Sequence, residues 1–448
     1  MSRALSLFYM VMVMERTKKD YSLINQSITD MIKRTKENKT FNFLEFFSKM
    51  ETAFSKSGFR EVQKLGVKNI LVMRLDAIGD FVLTTGFIRE LRLNYPFARI
   101  TLVVSKLVYP LAELCPYVNK VLAFDNKFNT DNIVELIEHT SKFAEENLWQ
   151  DHYDSAFSVQ WGSENLLPLF MGYLSGARER IGYGHQIELL HFDKLPPKNQ
   201  DPNYVLLTKP VINPKDMLHE AEKHLYVLES TGLPVRSKNM ELWYSAEDVQ
   251  NTRRLLSNIE SNAIKIVVGI GAGGTNRKYS IKQYISAFKE ISQRSNRKVC
   301  FIIIGGNAEA EDSKLLQTNL PEDSVINLVN QTTLRETVAT LAQSDMYIGN
   351  VTGVMHMAAA LGIPLITIYR QAKDKDHFVT PIFSECHRFA PWQATSIVLR
   401  PDHALGDCKE AIVYGGCKEA EPHCINQVQP QEIVEAFEHL MYMLNHNI

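Results

Sequence analysis

The chain has 448 residues, 49 Lys and Arg against 51 Asp and Glu, and six cysteines. That length exceeds what one hydrophobic core organises, so two domains are expected. Near-neutral charge excludes a nucleic-acid binder that relies on a strong basic field, and so few cysteines exclude a disulfide scaffold.

The longest apolar run near the N-terminus, Ala4 to Met14, is far shorter than the roughly 20 residues that span a bilayer. Glu15 and Arg16 follow where a signal peptide needs a small-residue cleavage site, so a cytoplasmic protein is expected. Residues 1–64 hold 12 Lys or Arg against 7 Asp or Glu, a local charge of +5. Ile24 to Ile32 and Phe41 to Phe54 carry apolar residues at helical spacing without Gly or Pro, which predicts amphipathic helices. They read as a surface hairpin packed on the main body. The other reading is docking on another subunit or, peripherally, on the anionic inner face of the cytoplasmic membrane.

From Lys68 short β-branched runs alternate with helical stretches: Asn69 to Leu75, Ile100 to Ser105, Val121 to Phe124 and Ser155 to Val159. A second series comprises Ile264 to Ile270, Val299 to Ile304, Val325 to Leu328, Met346 to Ile348 and Leu365 to Tyr369. Such alternation predicts two parallel sheets with crossover helices. Between them lie a helical pattern over Asp216 to Thr231 and another that Ser245 could cap. The chain ends in a helix marked by Ile433, Val434, Phe437, Leu440 and Met441. The expected division is a basic extension over 1–66, an acceptor domain over 67–250, a donor domain over 251–430 and a terminal helix over 431–448.

The first chemistry-bearing segment is Arg74-Leu75-Asp76-Ala77-Ile78-Gly79-Asp80, where a strand gives way to a turn and a helix. Carboxyl ends of parallel strands face the ligand crevice, so a carboxylate here can meet substrate. Gly79 permits close approach or unusual backbone angles, and the helix dipole favours ionised Asp80, a base ready for a proton. The competing reading is that Asp80 or Asp76 merely caps the helix.

The second segment, Gly269-Ile270-Gly271-Ala272-Gly273-Gly274, formally satisfies a dinucleotide pattern. Arg277 and Lys278 interrupt it, and Ser280 looks like the cap of the next helix. Exposed N–H groups of Gly271 and Gly273 with Lys278 and Arg277 suit a diphosphate instead; a flexible loop with solvated cations is the plain alternative. Glu309, after Gly305-Gly306, can accept both ribose hydroxyl protons at a strand end, or be surface polarity. Thr352, Gly353 and His356 open a helix of small residues that can present N–H groups to an anion, although a lone His is more often structural. Cys386, Cys408, Cys417 and Cys424 cluster late in the chain without the short pairs typical of zinc sites. Reduced thiols, a structural zinc or iron site and disulfides are the three readings.

In this order the segments resemble glycosyltransferase family 9, the bacterial heptosyltransferases of the lipopolysaccharide inner core, over about residues 67–440. The likeness rests on RLDxIGD, Tyr95-Pro96, Gly176-Ala177-Arg178 before Arg180-Ile181-Gly182, the GAG loop with Lys278, Gly305-Gly306 with Glu309, and TGxxHxAAALG. The resemblance implies an α/β protein of GT-B architecture, two Rossmann-like domains facing a cleft, and inverting, metal-independent sugar transfer. It implies Asp80 as general base, Lys278 on phosphate, Glu309 on ribose, and Thr352, Gly353 and His356 in the donor loop. ADP-heptose is the implied donor and an envelope glycan or glycolipid the acceptor. One departure concerns the donor sugar: Val351 stands where the family usually has Asp. A nicotinamide-dependent oxidoreductase and a non-catalytic nucleotide-sugar-binding or assembly protein are the alternatives.

Overall fold

The computed structural model describes residues 21–38, 43–57, 68–127, 132–161, 166–184, 202–212, 214, 216–375, 384–405 and 421–446. The chain forms two compact units. The first comprises residues 1–75, 91–106 and 117–213, and the second 76–90, 107–116 and 214–448. No helix among the described residues is long and apolar enough to cross a membrane.

Each unit holds a six-stranded, all-parallel sheet. In the first, β1 (Asn69–Arg74), β2 (Arg99–Ser105), β3 (Lys120–Phe124), β4 (Ser155–Ser158), β5 (Glu179–Tyr183) and β6 (Lys209–Val211) lie in the order β3-β2-β1-β4-β5-β6. In the second, β7 (Ile264–Gly269), β8 (Val299–Ile304), β9 (Val325–Asn327), β10 (Met346–Asn350), β11 (Leu365–Ile368) and β12 (Ser396–Leu399) repeat that order as β12-β11-β10-β7-β8-β9. This is the doubly wound arrangement, in which strand order reverses beside the first strand and leaves a crevice at the carboxyl ends. In the second sheet that reversal falls between β7 and β10.

Continuous apolar runs become central strands because helices cover both sheet faces: every residue of β8 is buried. β5, β6 and β12 were not among the predicted strands. Charged Glu179 and Arg180 interrupt β5, β6 is only three residues including Pro210, and no residue of the edge strand β12 is fully buried. The helix Ala246–Leu255 starts as expected, with Ser245 and Asp248 forming a capping box. The terminal helix begins at Pro430 and buries Ile433, Val434, Phe437 and Leu440 in the core of the second unit.

The described part of the N-terminal extension packs on the main body. Helices Ser22–Asn38 and Phe43–Lys56 bury Ile24, Ile28, Met31, Phe46, Phe47, Met50 and Phe54 in one cluster with Trp149, Phe170 and Tyr173. Phe47 and Tyr173 meet edge to face at 5.1 Å, and Phe46 lies 5.7 Å from Phe170. The apolar face is therefore covered by the chain's own core, so this stretch is a structural part of the first unit rather than a removable appendage. Phe46→Ala is expected to cost about 3–5 kcal/mol in denaturant unfolding, as a fully buried Phe does. A cost below about 1 kcal/mol would show the hairpin to be peripheral.

Candidate active site

The reversal of strand order between the parallel strands β7 and β10 brings two of the glycine-containing segments side by side. Gly349 pairs in register with Gly269, and the fully buried Asn350 ties the ends together. Its Nδ2 donates to the carbonyls of Ile270 and Gly271, both at 3.0 Å, while its Oδ1 accepts from the Tyr284 hydroxyl at 3.1 Å and the Tyr279 N–H at 3.3 Å. A buried amide with both ends satisfied fixes the loop without leaving an uncompensated polar group.

A cavity of about 590 Å³ opens there, lined entirely by residues of the second unit. Gly79, Asp80, Gly271, Gly273, Glu309, Thr352, Gly353 and His356, the candidates read from four separate segments, all line it. Asp76 and Lys278 do not.

Asp80 is the third residue of the helix Ile78–Asn94 and so lies within its first turn. This helix start packs directly against that of Gly353–Ala360. A Cβ on Gly79 would lie 2.8 Å from the His356 ring, and one on Gly353 would lie 2.8 Å from Ile78 Cγ2. Both glycines are therefore required by close approach, which carries Asp80 to the same cavity as the Thr352–Gly353 helix start. Thr352 caps that helix, accepting from the Met355 N–H at 3.4 Å.

Glu309 lines the cavity and also makes a local hydrogen bond. Its Oε2 accepts from the Gly306 N–H at 2.9 Å, a local cap, while its carboxyl lies over Gly271, where a Cβ would stand 2.9 Å from Oε1. The glycines thus make room for a carboxylate at the end of β8. Ser280 does sit at the N-cap of Ile281–Arg294, but its side chain accepts no capping hydrogen bond; Asn426 Oδ1 meets its N–H at 3.0 Å. Between the glycine run and that helix lies a 3-10 turn, Thr275–Arg277. The dinucleotide geometry, in which the helix opens within the glycines, is absent at this loop.

The two neighbouring cations differ. Lys278 Nζ turns away to Asp312 at 3.3 Å and the Ala308 carbonyl at 3.4 Å. Arg277 lines the cavity, with Nη2 held 2.8 Å from Glu385 Oε1. His356 is buried, and burial together with the charge of nearby His219 pushes its imidazole down to about 3. It is accordingly neutral at physiological pH, able to exchange hydrogen bonds but not to supply a cation. Its Nδ1 has no hydrogen-bond partner among the described residues.

The sequence profile of glycosyltransferase family 9 (heptosyltransferase) matches residues 204–391, which include every cavity residue except those of the Asp80 segment. The lipopolysaccharide heptosyltransferase 2 of Salmonella typhimurium is 23% identical over 314 residues, 67% of this chain and 82% of that protein. A family 9 glycosyl transferase structure from Veillonella parvula superposes with a TM-score of 0.64 at 18% identity, covering 85% of this chain and 99% of that one. The Escherichia coli ADP-heptose lipopolysaccharide heptosyltransferase II structure gives 0.60 at 19% identity, covering 84% and 99%. Over residues 204–391 the chain resembles glycosyltransferase family 9. Its fold is GT-B, and it is a glycosyltransferase, which removes the oxidoreductase and non-catalytic alternatives.

Several residues of the transferase's cavity were not anticipated: Asn330, Thr332, Leu334 and Thr337 beyond β9, and Phe389. A sequence signal existed for the first group, since Thr333 and Glu336 form an S/T-x-x-E capping box that marks a helix start just past a strand. Phe389 carries no such signal. It is held from outside the cavity: its carbonyl accepts from the Tyr369 hydroxyl at 2.7 Å, and the adjacent Arg388 donates to buried Glu220 at 2.7 Å. Of the four clustered cysteines, Cys386 is half-buried and Cys424 buried, whereas Cys408 and Cys417 lie outside the described residues. Cys424 Sγ accepts from the Leu405 N–H at 3.4 Å. Among the described residues no group of three or more His, Cys, Asp or Glu could hold a metal.

Proposed function

We propose that this transferase moves a heptose from ADP-heptose to a cell-envelope glycan of the lipopolysaccharide-core type, in the cytoplasm, by a single inverting displacement that needs no metal. The observation that carries the reading is that Asp80 shares one cavity with Gly271, Gly273, Arg277 and the Thr352–Gly353 helix start. Such a cavity can hold both ends of a glycosyl transfer.

In this reading Glu309 accepts the ribose hydroxyls and the glycine-loop N–H groups with Arg277 bind the diphosphate. The acceptor hydroxyl attacks the anomeric carbon from the face opposite the diphosphate and gives its proton to Asp80 as the carbon–oxygen bond to phosphate breaks. Charge grows on the leaving diphosphate, where preorganised donors and the guanidinium lower its energy. One displacement inverts the anomeric centre without a covalent intermediate. The names of the Salmonella and Escherichia coli relatives support the choice of heptose, of the ADP-linked donor and of a lipopolysaccharide acceptor.

The test is nucleotide release from a panel of nucleotide sugars, supplied with a heptose-deficient lipopolysaccharide core as acceptor. ADP release from ADP-heptose that depends on the acceptor is expected. Faster release from another donor would overturn the heptose assignment, and release from none would overturn the proposed reaction.

A further inference from the structure

Val351 lines the cavity where a carboxylate could otherwise hydrogen-bond the donor sugar, yet the structure places a carboxylate close by from another part of the chain. A nook of about 20 Å³ is lined by Val351, Arg277, Phe389, Ile368, Arg370 and Glu385. The first three also line the main cavity, so these side chains border both spaces. We propose that this nook receives one hydroxyl of the donor sugar, a neutral glycosyl group lying in the main cavity beside it, and that Glu385 accepts the hydrogen bond of that hydroxyl. The inference rests on the donor placement proposed above.

The order of groups along the cavity sets the location. With ribose at Glu309 and diphosphate at Arg277, the next atoms of the donor belong to the sugar, and Val351 and Phe389 line both spaces together with Arg277. Glu385 is well fixed for recognition. Its Oε1 is shared by Arg277 Nη2 and Arg370 Nη2, both at 2.8 Å, and Arg370 Nη1 is anchored on Asn276 Oδ1 at 3.0 Å. The side chains of Arg370 and Glu385 are only 10% and 14% exposed, so neither swings freely. Oε2 takes Arg370 Nε at a looser 3.4 Å, which leaves it the better placed oxygen for another donor, since a carboxylate accommodates about four hydrogen bonds.

Charge and volume point to different substituents, and volume decides. Two guanidiniums against one carboxylate would suit an acidic group such as a uronate. A space of about 20 Å³, however, admits one water-sized group, since a single water needs roughly 10–15 Å³ of such volume. A hydroxyl fits and a carboxylate does not. The surplus charge belongs to Arg277, which is 41% exposed and faces the diphosphate position. Val351 and Phe389 then pack on the sugar's carbon–hydrogen face while Glu385 supplies the polar contact that Val351 cannot.

Affinities for ADP and for ADP-heptose measured on wild type and Glu385→Gln test this. Because Glu385 also holds Arg277, the variant is expected to bind ADP somewhat more weakly and to lose about 10- to 100-fold more affinity for ADP-heptose than for ADP, the range for a lost hydrogen bond to a charged group. Equal losses for both ligands, or no loss for either, would overturn the sugar contact. As a measurement independent of any variant, wild type is assayed with ADP-heptose analogues that each lack one sugar hydroxyl. One analogue is expected to lose at least tenfold in kcat/KM, and equal use of all of them would overturn the proposal. Wild type that binds ADP but gains nothing from any attached sugar would instead overturn the donor placement on which it rests.

Discussion

Replacing Asp80 with Asn is expected to lower kcat by about 10²- to 10⁴-fold, the range associated with loss of a positioned general base. The amide fills the same space at the first turn of Ile78–Asn94 but cannot take the acceptor proton. The glycine loop is organised by Asn350, and the facing helix start is capped by Thr352. Donor affinity, read by calorimetry with a non-transferable ADP-heptose analogue, should therefore stay within about threefold while turnover collapses. Turnover within a few-fold of wild type would move the proton acceptor elsewhere. A parallel fall in donor affinity would show that Asp80 holds the donor instead. Asp76 is a weaker second candidate because it does not line the cavity.

The second large effect separates Arg277 from Lys278. Arg277→Ala should cost about 10²- to 10³-fold in kcat, comparable to removing one preorganised donor from a site of developing negative charge. Lys278→Ala should cost less than about threefold, because its ammonium faces Asp312 and the Ala308 carbonyl. The guanidinium is also the better group for this task, since its planar donors can grip two phosphate oxygens at once. Arg277→Lys is expected to recover part of the lost rate. Steady-state kinetics on the three variants decide the matter, and the reverse ranking would mean that Lys278 leaves Asp312 when the donor binds.

This pair shows where sequence reading stops. Adjacent residues of the same charge are indistinguishable by composition and spacing, and resemblance directed attention to Lys278. The 3-10 turn Thr275–Arg277 rotates the two side chains apart, so that one borders the cavity and the other crosses to the helix Ala310–Asn319. Only the path of the backbone contains that information. The N-terminal extension is a similar case. Its amphipathic pattern was plain over Ile24 to Ile32, but a pattern reveals that a face will be covered without revealing by what; Phe170 and Tyr173 cover it.

The central strands, the alternation that builds two parallel sheets, and the capped helix after Ser245 were determined by the sequence, because each follows from burial and hydrogen bonding within a short stretch of chain. The glycine, carboxylate and histidine candidates were visible for the same reason, as unusual residues at strand ends. Their convergence was decided by tertiary structure: the reversal between β7 and β10 sets the glycine loop beside Asn350, and the absence of a Cβ on Gly79 and Gly353 lets two helix starts touch. So was the nook at Val351, where Glu385, 34 positions further along the chain, meets Arg277 and Arg370. Such contacts depend on distances between segments, which local residue preferences do not encode.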